Sequence, residues 1–224
     1  MRARAGIVAL VASHEQQERP LRPSRERRRS LLSRQFISVI EPLLEAGERY
    51  ADISVERLVN EAGIARATFY TYYVDKGDLL AAIAEDIQTK LVAAGQSWWD
   101  FPPDGDKAAL RDALRPAIDV HRAHYKIMGA LAEAAAYDDG VRERYNGLME
   151  WIVHNLERHI RTAQQHSAAA DLEPGSTALW LVWMLERGLY QFVGSADQVR
   201  AERFIDALTA IVWRALYQGY RPEH

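Results

Sequence analysis

Apolar side chains recur along almost the whole chain at intervals of three and four residues. The segment that follows Ser24 shows this spacing clearly, and its apolar positions are Leu31, Leu32, Phe36, Val39, Ile40, Leu43 and Leu44. Such spacing places the apolar groups on one face of an α-helix. Alternating apolar and polar stretches are short, and no Asn-Gly or Asp-Gly turn lies between β-branched runs, so strands are not expected. The pattern therefore predicts an all-α protein.

Capping and turn residues set the limits of the first predicted helix. Ser24 is suited to cap its start, and Gly47 is suited to close it. Pro42 falls inside the pattern and should kink the helix or split it, because proline has no N–H to donate to the preceding turn.

Two short helices and a longer one are predicted next. Ser54 begins the second helix, and Gly63 ends it at a position where left-handed backbone is usual. The third helix is predicted over about 65–72. The fourth starts near Asp75 and carries Leu79, Leu80, Ile83 and Ile87 on one side.

The stretch WWDFPPDGD, which contains Pro102, Pro103 and Gly105, interrupts the helical pattern and is taken as a domain boundary. Beyond it, five helices are predicted at about 106–124, 126–136, 139–166, 174–194 and 197–219. The domains expected from these limits are a flexible tail over 1–23, a helix-turn-helix unit over 24–74, a connecting fourth helix over 75–100 and a C-terminal helical bundle over 101–224.

The stretch GIARATFYTYYVDK, from Gly63 to Lys76, carries more aromatic residues than one core-facing stripe can hold. Three short helices with a glycine turn before the third form the helix-turn-helix arrangement, in which the third helix offers its outer face to a DNA groove. Ile64, Phe69 and Tyr73 suit the inner face. The residues expected to face outward are Arg66, Ala67, Tyr70 and Thr71.

The outward residues have side chains suited to DNA. Arg66 can donate two hydrogen bonds to guanine, and Ala67 can contact a thymine methyl group. The Tyr70 hydroxyl can donate to a phosphate, and Thr68 can do the same or stabilise the helix start. Lys76, at the start of the fourth helix, can hold a phosphate together with backbone N–H groups.

Charge is relevant only locally, because the formal net charge is −3. Between 19 and 34 the chain carries seven arginines, at positions 19, 22, 25, 27, 28, 29 and 34, against Glu26 alone. Such a basic arm can follow a phosphate backbone or enter a minor groove. Arg25, Arg28 and Arg29 are the predicted contacts, whereas an ordinary solvated charge run remains the alternative for Arg19 and Arg22.

Composition excludes several other classes. The chain has no cysteine, so disulfides and cysteine-ligated zinc are absent, which fits a reducing compartment. No run approaches the roughly 18 apolar residues of a membrane span. The first residues, MRARAGIVALVASHE, resemble a secretory signal of minimal length, but Leu10 stands where a small residue would precede cleavage. A cytoplasmic location and no membrane partner are therefore expected.

The segment ADISVERLVNEAGIARATFYTYYVDKGDLL resembles the DNA-binding region of the TetR/AcrR family of transcriptional regulators over about 30–87. The resemblance implies DNA contacts by Arg66, Ala67, Tyr70 and Tyr72. It also implies phosphate contacts by Thr68, Lys76 and the helix-capping Ser54. Ala65 departs from the family pattern, which often has Ser or Thr there, so the third helix should lack a side-chain cap. Later segments such as LERGLYQFVG resemble the EthR-like branch more weakly.

The resemblance implies that the C-terminal half dimerises and encloses a small effector. The helices at 174–194 and 197–219 are apolar over a wide arc, which requires packing partners on two sides. One partner can be the same domain and the other a second subunit, giving a two-fold helical interface. A homodimer would also supply two recognition helices for a palindromic operator.

Aromatic residues and methionines in this half suggest a cavity for a largely apolar ligand, although each could equally fill the core. The predicted ligand-binding residues are Tyr145, Met149, Trp151, Trp180, Trp183, Met184 and Glu186. Glu186 and Arg187 could place polar groups at the edge of the cavity, or form an ordinary ion pair.

The sequence contains no recognisable catalytic motif. Glu150, His154 and Glu157 share a helical face, but no Glu-x-x-His pair and no His-Glu-x-x-His, Gly-x-Ser-x-Gly or phosphate-loop pattern occurs. No enzyme activity, cofactor or metal is therefore expected. The predicted function is that of a repressor which a small hydrophobic effector releases from DNA. The alternatives are an activator and a ligand-binding bundle whose DNA-binding head no longer functions.

Overall fold

The computed structural model describes residues 24–102, 104–165 and 171–218. In these ranges the chain forms nine α-helices and no strand. The helices are α1 (Arg25–Glu45), α2 (Val55–Glu61), α3 (Arg66–Tyr72), α4 (Lys76–Trp99), α5 (Lys107–Ala123), α6 (Tyr125–Ala134), α7 (Asp139–Gln164), α8 (Pro174–Gly188) and α9 (Gln198–Leu216). A 3-10 turn (Tyr50–Asp52) precedes α2, and a π-helical segment (Leu189–Val193) continues α8. The predicted all-α class is confirmed.

Side-chain caps start most of these helices. The residues whose side chains accept a hydrogen bond from the first-turn N–H groups are Ser24, Ser54, Asp75, Asp106, Asp138, Glu173 and Asp197. Each satisfies a donor that would otherwise have no partner inside its helix. Ala65 precedes α3 with extended backbone and no side-chain cap, as the sequence predicts.

Pro42 does not split the first helix, which corrects one of the two outcomes predicted for it. α1 runs unbroken from Arg25 to Glu45, and Pro42 lies in its final turn. The backbone N–H of Ala46 still donates to the Pro42 carbonyl at 3.0 Å. Proline removes one backbone hydrogen bond from the helix. Because α1 ends only a few residues after Pro42, the loss of this bond does not interrupt the helix.

The first three helices and the start of α4 form the head of the molecule, which is built around an aromatic centre. Phe36 of α1 meets Phe69 of α3 edge to face, with ring centroids 5.8 Å apart, and lies 6.0 Å from Tyr73. Leu58 of α2 and Leu79 of α4 are fully buried in the same core. The head core therefore packs against the inner face of α3.

The remaining helices form a body in which α4 packs against α5 and α7, α7 packs against α8, and α5 packs against α9. The α5–α9 contact includes Arg111 and Arg115, which both bind Glu202. Hydrogen bonds from Arg115 and then Arg111 lower the pKa of the Glu202 carboxyl to about 2. None of the described helices combines the length and the hydropathy needed to cross a membrane.

Among the residues that the structure describes, three polar links join the head to the body. Nδ1 of His124, between α5 and α6, lies 2.7 Å from the Glu41 carboxylate of α1. Arg49 binds Glu133 of α6. Arg144 of α7 lies 3.4 Å from the Asp78 carboxylate of α4. Together with α4, which belongs to both parts, these links make the position of the head depend on the body.

Alanine substitutions at two glycines should change stability in opposite directions. Gly63 has a φ of +64°, so Gly63→Ala should lower the free energy of unfolding by about 1–2 kcal/mol. Gly147 lies inside α7, where a Cβ would meet no other atom within 4 Å. Gly147→Ala should therefore raise the free energy of unfolding by about 0.5–1 kcal/mol. Denaturant unfolding of both variants measures the difference, and a stabilised Gly63→Ala would contradict the left-handed turn.

A serine at position 65 should stabilise the protein by supplying the cap that α3 lacks. Ser54 already does this for α2, where its Oγ accepts from the N–H of Arg57 at 3.1 Å. We expect Ala65→Ser to raise the free energy of unfolding by about 1 kcal/mol in thermal unfolding. Ala67→Ser, inside α3, is the control and should be neutral or slightly destabilising. An equal gain in both variants would rule out capping as the cause.

Candidate nucleic-acid interface and effector cavity

The two faces of α3 differ as the sequence predicts. Phe69 and Tyr73 are buried in the head core. Arg66, Ala67, Tyr70 and Thr71 are exposed. The guanidinium of Arg66 lies 5.6 Å from the centre of the Tyr70 ring, and that ring remains 49% exposed. The outer face of α3 therefore presents a guanidinium group and a phenol side by side, both available to a partner.

The N-terminal end of α1 lies beside α3. Nη2 of Arg25 donates to the backbone carbonyl of Thr71 at 3.0 Å. Arg25 and Tyr72 also line one shallow cleft. Arg28, one turn further along α1, is exposed. The structure thus brings together two groups of predicted contacts that are about 40 residues apart in the sequence. The predicted tail over 1–23, with its arginines at 19 and 22, lies outside the described residues.

Arg29 has a different environment from Arg25 and Arg28. Its Nη2 donates to the Asp78 carboxylate at 2.6 Å, and its guanidinium lies 5.4 Å from the centre of the Tyr73 ring. Arg29 therefore joins α1 to α4 within the head, and Asp78 already neutralises its charge.

Lys76 also makes contacts within the head that the sequence did not reveal. Its ammonium donates to the backbone carbonyls of Tyr50, Ala51 and Ile53. The Tyr50 hydroxyl in return donates to the Lys76 carbonyl at 2.6 Å, and burial raises the pKa of this hydroxyl. A phosphate contact by the Lys76 ammonium would require it to leave these carbonyls, and it stays a prediction.

The two other predicted phosphate contacts lie close to helix starts. Ser54 is exposed at the cap of α2, and Thr68 is half-buried in the first turn of α3. Both positions leave the side chain close to first-turn N–H groups, which favour an anion. The contacts of both residues with phosphate likewise stay predictions.

The body contains a cavity of about 140 Å³ between α4, α5, α7 and α8. Three further residues line it, namely Met128 of α6, Leu189 of the π-helical segment and Leu208 of α9. Three of the seven predicted ligand-binding residues line it, namely Met149, Trp151 and Glu186. The sequence missed several other lining residues, which include Leu91, Trp98, Trp99, Leu114, Ile118 and His121. The pair Trp98 and Trp99 lies at the end of α4, and His121 lies in the last turn of α5. Their positions near helix ends carried no periodic signal for a cavity.

The other four predicted ligand residues do not line this cavity. Trp180 is 77% exposed, and Trp183 and Met184 are also exposed. Tyr145 is buried and does not line the cavity, and its ring centre lies 6.3 Å from that of Trp183. The three α8 residues miss the cavity because of how the helix is rotated about its axis. Val182 and Leu185 face the cavity, whereas Trp180, Trp183 and Met184 lie on the opposite side of the helix.

An apolar surface consequently remains on the outside of the body. Its residues on α8 are Leu179, Trp180, Trp183 and Met184. We call these four residues the outer apolar face. Exposed apolar residues that lie next to one another are typical of interaction sites, whereas single exposed apolar residues need no explanation.

Polar atoms are scarce in the cavity wall. His121 is only 5% exposed, and within the described residues neither of its ring nitrogens has a hydrogen-bond partner. Burial lowers the pKa of this imidazole to about 4. The indole Nε1 of Trp99 and Oε2 of Glu186 likewise lack a hydrogen bond in the described part of the chain. Nε of Arg187 lies 3.8 Å from Oε2 of Glu186, so the carboxylate of Glu186 has a positively charged group beside it.

Two family models match separate parts of the chain. The model for bacterial regulatory proteins of the tetR family matches residues 48–83, which contain α2, α3 and the start of α4. The model for the C-terminal domain of the transcriptional regulator EthR matches residues 110–218. The two matches fall on the head and on the body, and together they cover well over half of the chain.

Whole-chain relatives agree with these matches. The transcriptional regulator EthR of Mycobacterium tuberculosis H37Rv is 28% identical over 94% of this chain and 96% of its own length. EthR of Mycolicibacterium smegmatis is 25% identical over 89% of this chain and 90% of its own.

Solved structures share the fold at lower identity. A TetR-family regulator from Pectobacterium atrosepticum has a TM-score of 0.63 and 21% identity, covering 90% of this chain and 100% of its own. The regulator PfmR from Thermus thermophilus has a TM-score of 0.65 and 20% identity, covering 81% of this chain and 97% of its own. The solved structures show that the chain shares this fold. The two family models and the EthR relatives together support a TetR-family transcriptional regulator that resembles EthR in its C-terminal domain.

Proposed function

We propose that this regulator is a cytoplasmic homodimer that represses transcription by occupying a palindromic operator, and that a small hydrophobic effector releases it. The observation that carries the proposal is the outer face of α3. Arg66, Ala67 and Tyr70 are exposed there, while Phe69 and Tyr73 hold the helix in the head core. A short helix with this division can enter a major groove without rearranging its own support.

The contacts proposed for this face follow from donor geometry. Arg66 reads guanine with two donors, and Ala67 meets a thymine methyl group. Tyr70 and Tyr72 contact phosphate or sugar, and Arg25 supplies positive charge from the adjacent end of α1. These residues come from two segments, the start of α1 and α3, which the head fold brings together, so they act as one surface.

Dimerisation is proposed through the outer apolar face. Trp180 alone leaves 77% of its surface in water, which is unfavourable for a residue of its size. A second copy related by a two-fold axis would cover each face with its equivalent. The same symmetry would present two copies of α3 to two half-sites of a palindrome.

Effector control is proposed to act through α4. The N-terminal part of α4 packs in the head, where Leu79 and Leu80 are fully buried. Its C-terminal part lines the cavity with Leu91, Trp98 and Trp99. A ligand that favours one position of α4 therefore has a direct mechanical route to α3. Binding that is tighter in the non-DNA-binding arrangement shifts the equilibrium away from the operator.

Removal of the Tyr70 side chain should weaken operator binding while the fold stays intact. We expect Tyr70→Ala to lower affinity for the operator at least about tenfold, which corresponds to about 1.4 kcal/mol. The measurement is a footprint on DNA upstream of the protein's own gene, at two salt concentrations, since operator affinity should fall steeply as salt rises. Tyr137→Ala is the matched control, because Tyr137 is an exposed tyrosine outside α3.

A protected palindrome that is lost in Tyr70→Ala and kept in Tyr137→Ala would support the proposal. Its position relative to the promoter would distinguish a repressor from an activator. A selection of bound fragments from the whole genome would find an operator located elsewhere. An empty selection would overturn DNA binding and favour a ligand-binding bundle with an inactive head.

A charge at Trp180 should separate the subunits. Trp180→Glu places a carboxylate in the centre of the proposed interface, where its desolvation is unfavourable. We expect wild type to sediment as a dimer and the variant as a monomer in analytical ultracentrifugation. Tyr137→Glu, which adds the same charge at another exposed aromatic residue, should remain dimeric. A dimeric Trp180→Glu protein would place the interface on a different surface.

A further inference from the structure

Asp78, in the first turn of α4, binds groups from three other parts of the chain. Its Oδ1 accepts from Nη2 of Arg29 at 2.6 Å, and Nη1 of Arg144 donates to the same oxygen at 3.4 Å. Its Oδ2 accepts from the backbone N–H of Val74 at 3.1 Å. Arg29 belongs to α1 of the head, Arg144 belongs to α7 of the body, and Val74 lies just after α3. One carboxylate therefore meets the head, the body and the turn that follows α3.

The two guanidinium groups compete for one oxygen of Asp78. Arg29 holds Oδ1 closely, whereas Arg144 lies near the limit of hydrogen-bonding distance. Both groups are cations, so a close approach of one to Oδ1 opposes a close approach of the other. The two distances differ by less than 1 Å. A small displacement of α7 relative to α1 can therefore exchange the partners.

The cleft beside α3 offers Arg29 an alternative partner. Arg29 lines this cleft together with Arg25 and Tyr72, and its side chain is 31% exposed. Arg25 and Tyr72 are among the DNA contacts proposed above, so a phosphate bound near them would lie beside Arg29. Guanidinium groups bind phosphates and carboxylates in similar geometries. Arg29 can therefore exchange a carboxylate for a phosphate without losing a charged partner.

Arg144 can hold Asp78 once Arg29 leaves it. The Asp78 side chain is only 20% exposed, so a loss of its close cation would be unfavourable unless another cation took its place. Arg144 is the second cation at this carboxylate. The other acidic neighbour of Arg144 is Glu85 at 3.7 Å, and at 54% exposure that side chain is well screened by solvent.

We propose that Asp78 exchanges Arg29 for Arg144 when the protein binds DNA, so that Arg29 passes to a DNA phosphate. Asp78 and Arg144 are then positioning residues, which act on DNA through Arg29. The inference rests on the proposed function, since it requires DNA binding by the head. It adds a second route from the cavity to the head, because Arg144 lies one turn before Leu148, a residue of the cavity wall.

The competing interpretation is that these ion pairs only stabilise the fold. Partly exposed ion pairs contribute little to stability, and removal of Arg144 would then have the same effect on DNA binding whether or not Arg29 is present. The exchange makes a different prediction, which is that Arg144 affects DNA binding only while Arg29 is present. A double-mutant cycle distinguishes the two interpretations.

The experiment compares wild type, Arg29→Gln, Arg144→Gln and the double variant as full-length proteins. The probe is a fluorescein-labelled duplex of the region upstream of the protein's own gene, and a duplex of the same length with scrambled sequence is measured in parallel. Fluorescence anisotropy gives the affinity at several salt concentrations. Each phosphate contact contributes about −0.9 to the slope of log affinity against log salt concentration, so the slope reports the loss of a contact. Thermal unfolding shows that each variant is folded.

We expect Arg29→Gln to lower the affinity about tenfold, the effect of one charge-assisted hydrogen bond, and to make the salt slope shallower by about 0.9. Arg144→Gln should lower the affinity about threefold when Arg29 is present and should have no effect in the Arg29→Gln background. Arg144→Lys keeps the charge and should retain most of the affinity.

Two further variants complete the comparison. Arg142→Gln is the matched control, because Arg142 is also exposed on α7 but pairs with Asp139 of the same helix. It should leave the affinity unchanged. Asp78→Asn removes the charge and keeps an acceptor for the N–H of Val74. Arg144→Gln should lose its effect in the Asp78→Asn background too, which provides a second cycle if Arg29→Gln does not fold.

Three results would overturn the inference while the proposed function stands. They are an unchanged salt slope in Arg29→Gln, an equal loss from Arg144→Gln with and without Arg29, and an equal loss from Arg142→Gln and Arg144→Gln. Failure of the wild type to bind either duplex would overturn the proposed function and the inference together. The behaviour of wild type therefore shows which of the two has failed.

Discussion

The contact of Phe69 and Tyr73 with Phe36 is the interaction on which the rest of the head depends. The Phe69 and Tyr73 rings lie 5.4 Å apart, and both meet the Phe36 ring. The Tyr73 hydroxyl adds polar contacts to Ser33 and to the carbonyl of Arg29. Since α3 has only seven residues, it cannot keep its shape or orientation alone. The aromatic contact provides both, and it leaves the opposite face of α3 unoccupied by the protein's own core.

A helix shared by two cores connects this head to the body. α4 supports α3 at its N-terminal end and lines the cavity at its C-terminal end. The Glu41–His124 contact adds a second connection, which lies one helical turn from His121. The cavity wall and the head are therefore connected through covalent structure and through packing. This connection is the route that we propose for effector control.

Helix α8 shows that the role of an apolar residue depends on which side of the helix it occupies. α8 carries apolar residues on two sides, and Val182 and Leu185 face the cavity. Trp180, Trp183 and Met184 face outward, where they form a surface suited to a second subunit. The sequence predicted both a dimer interface and a ligand site on this helix, and it assigned the outward residues to the ligand site. The amino acids suit either role, so only their direction distinguishes the two.

The sequence by itself determined the all-α class, most of the helix limits and the two faces of α3. These features depend on the spacing of apolar residues and on hydrogen bonds within one helical turn, which are local properties. The tertiary structure decided that the Lys76 ammonium binds backbone carbonyls, that α8 directs its tryptophans outward and that His121 lies in the cavity wall without a partner among the described residues. Each of these depends on residues from different helices meeting in space, and no pattern within a single helix records such a meeting.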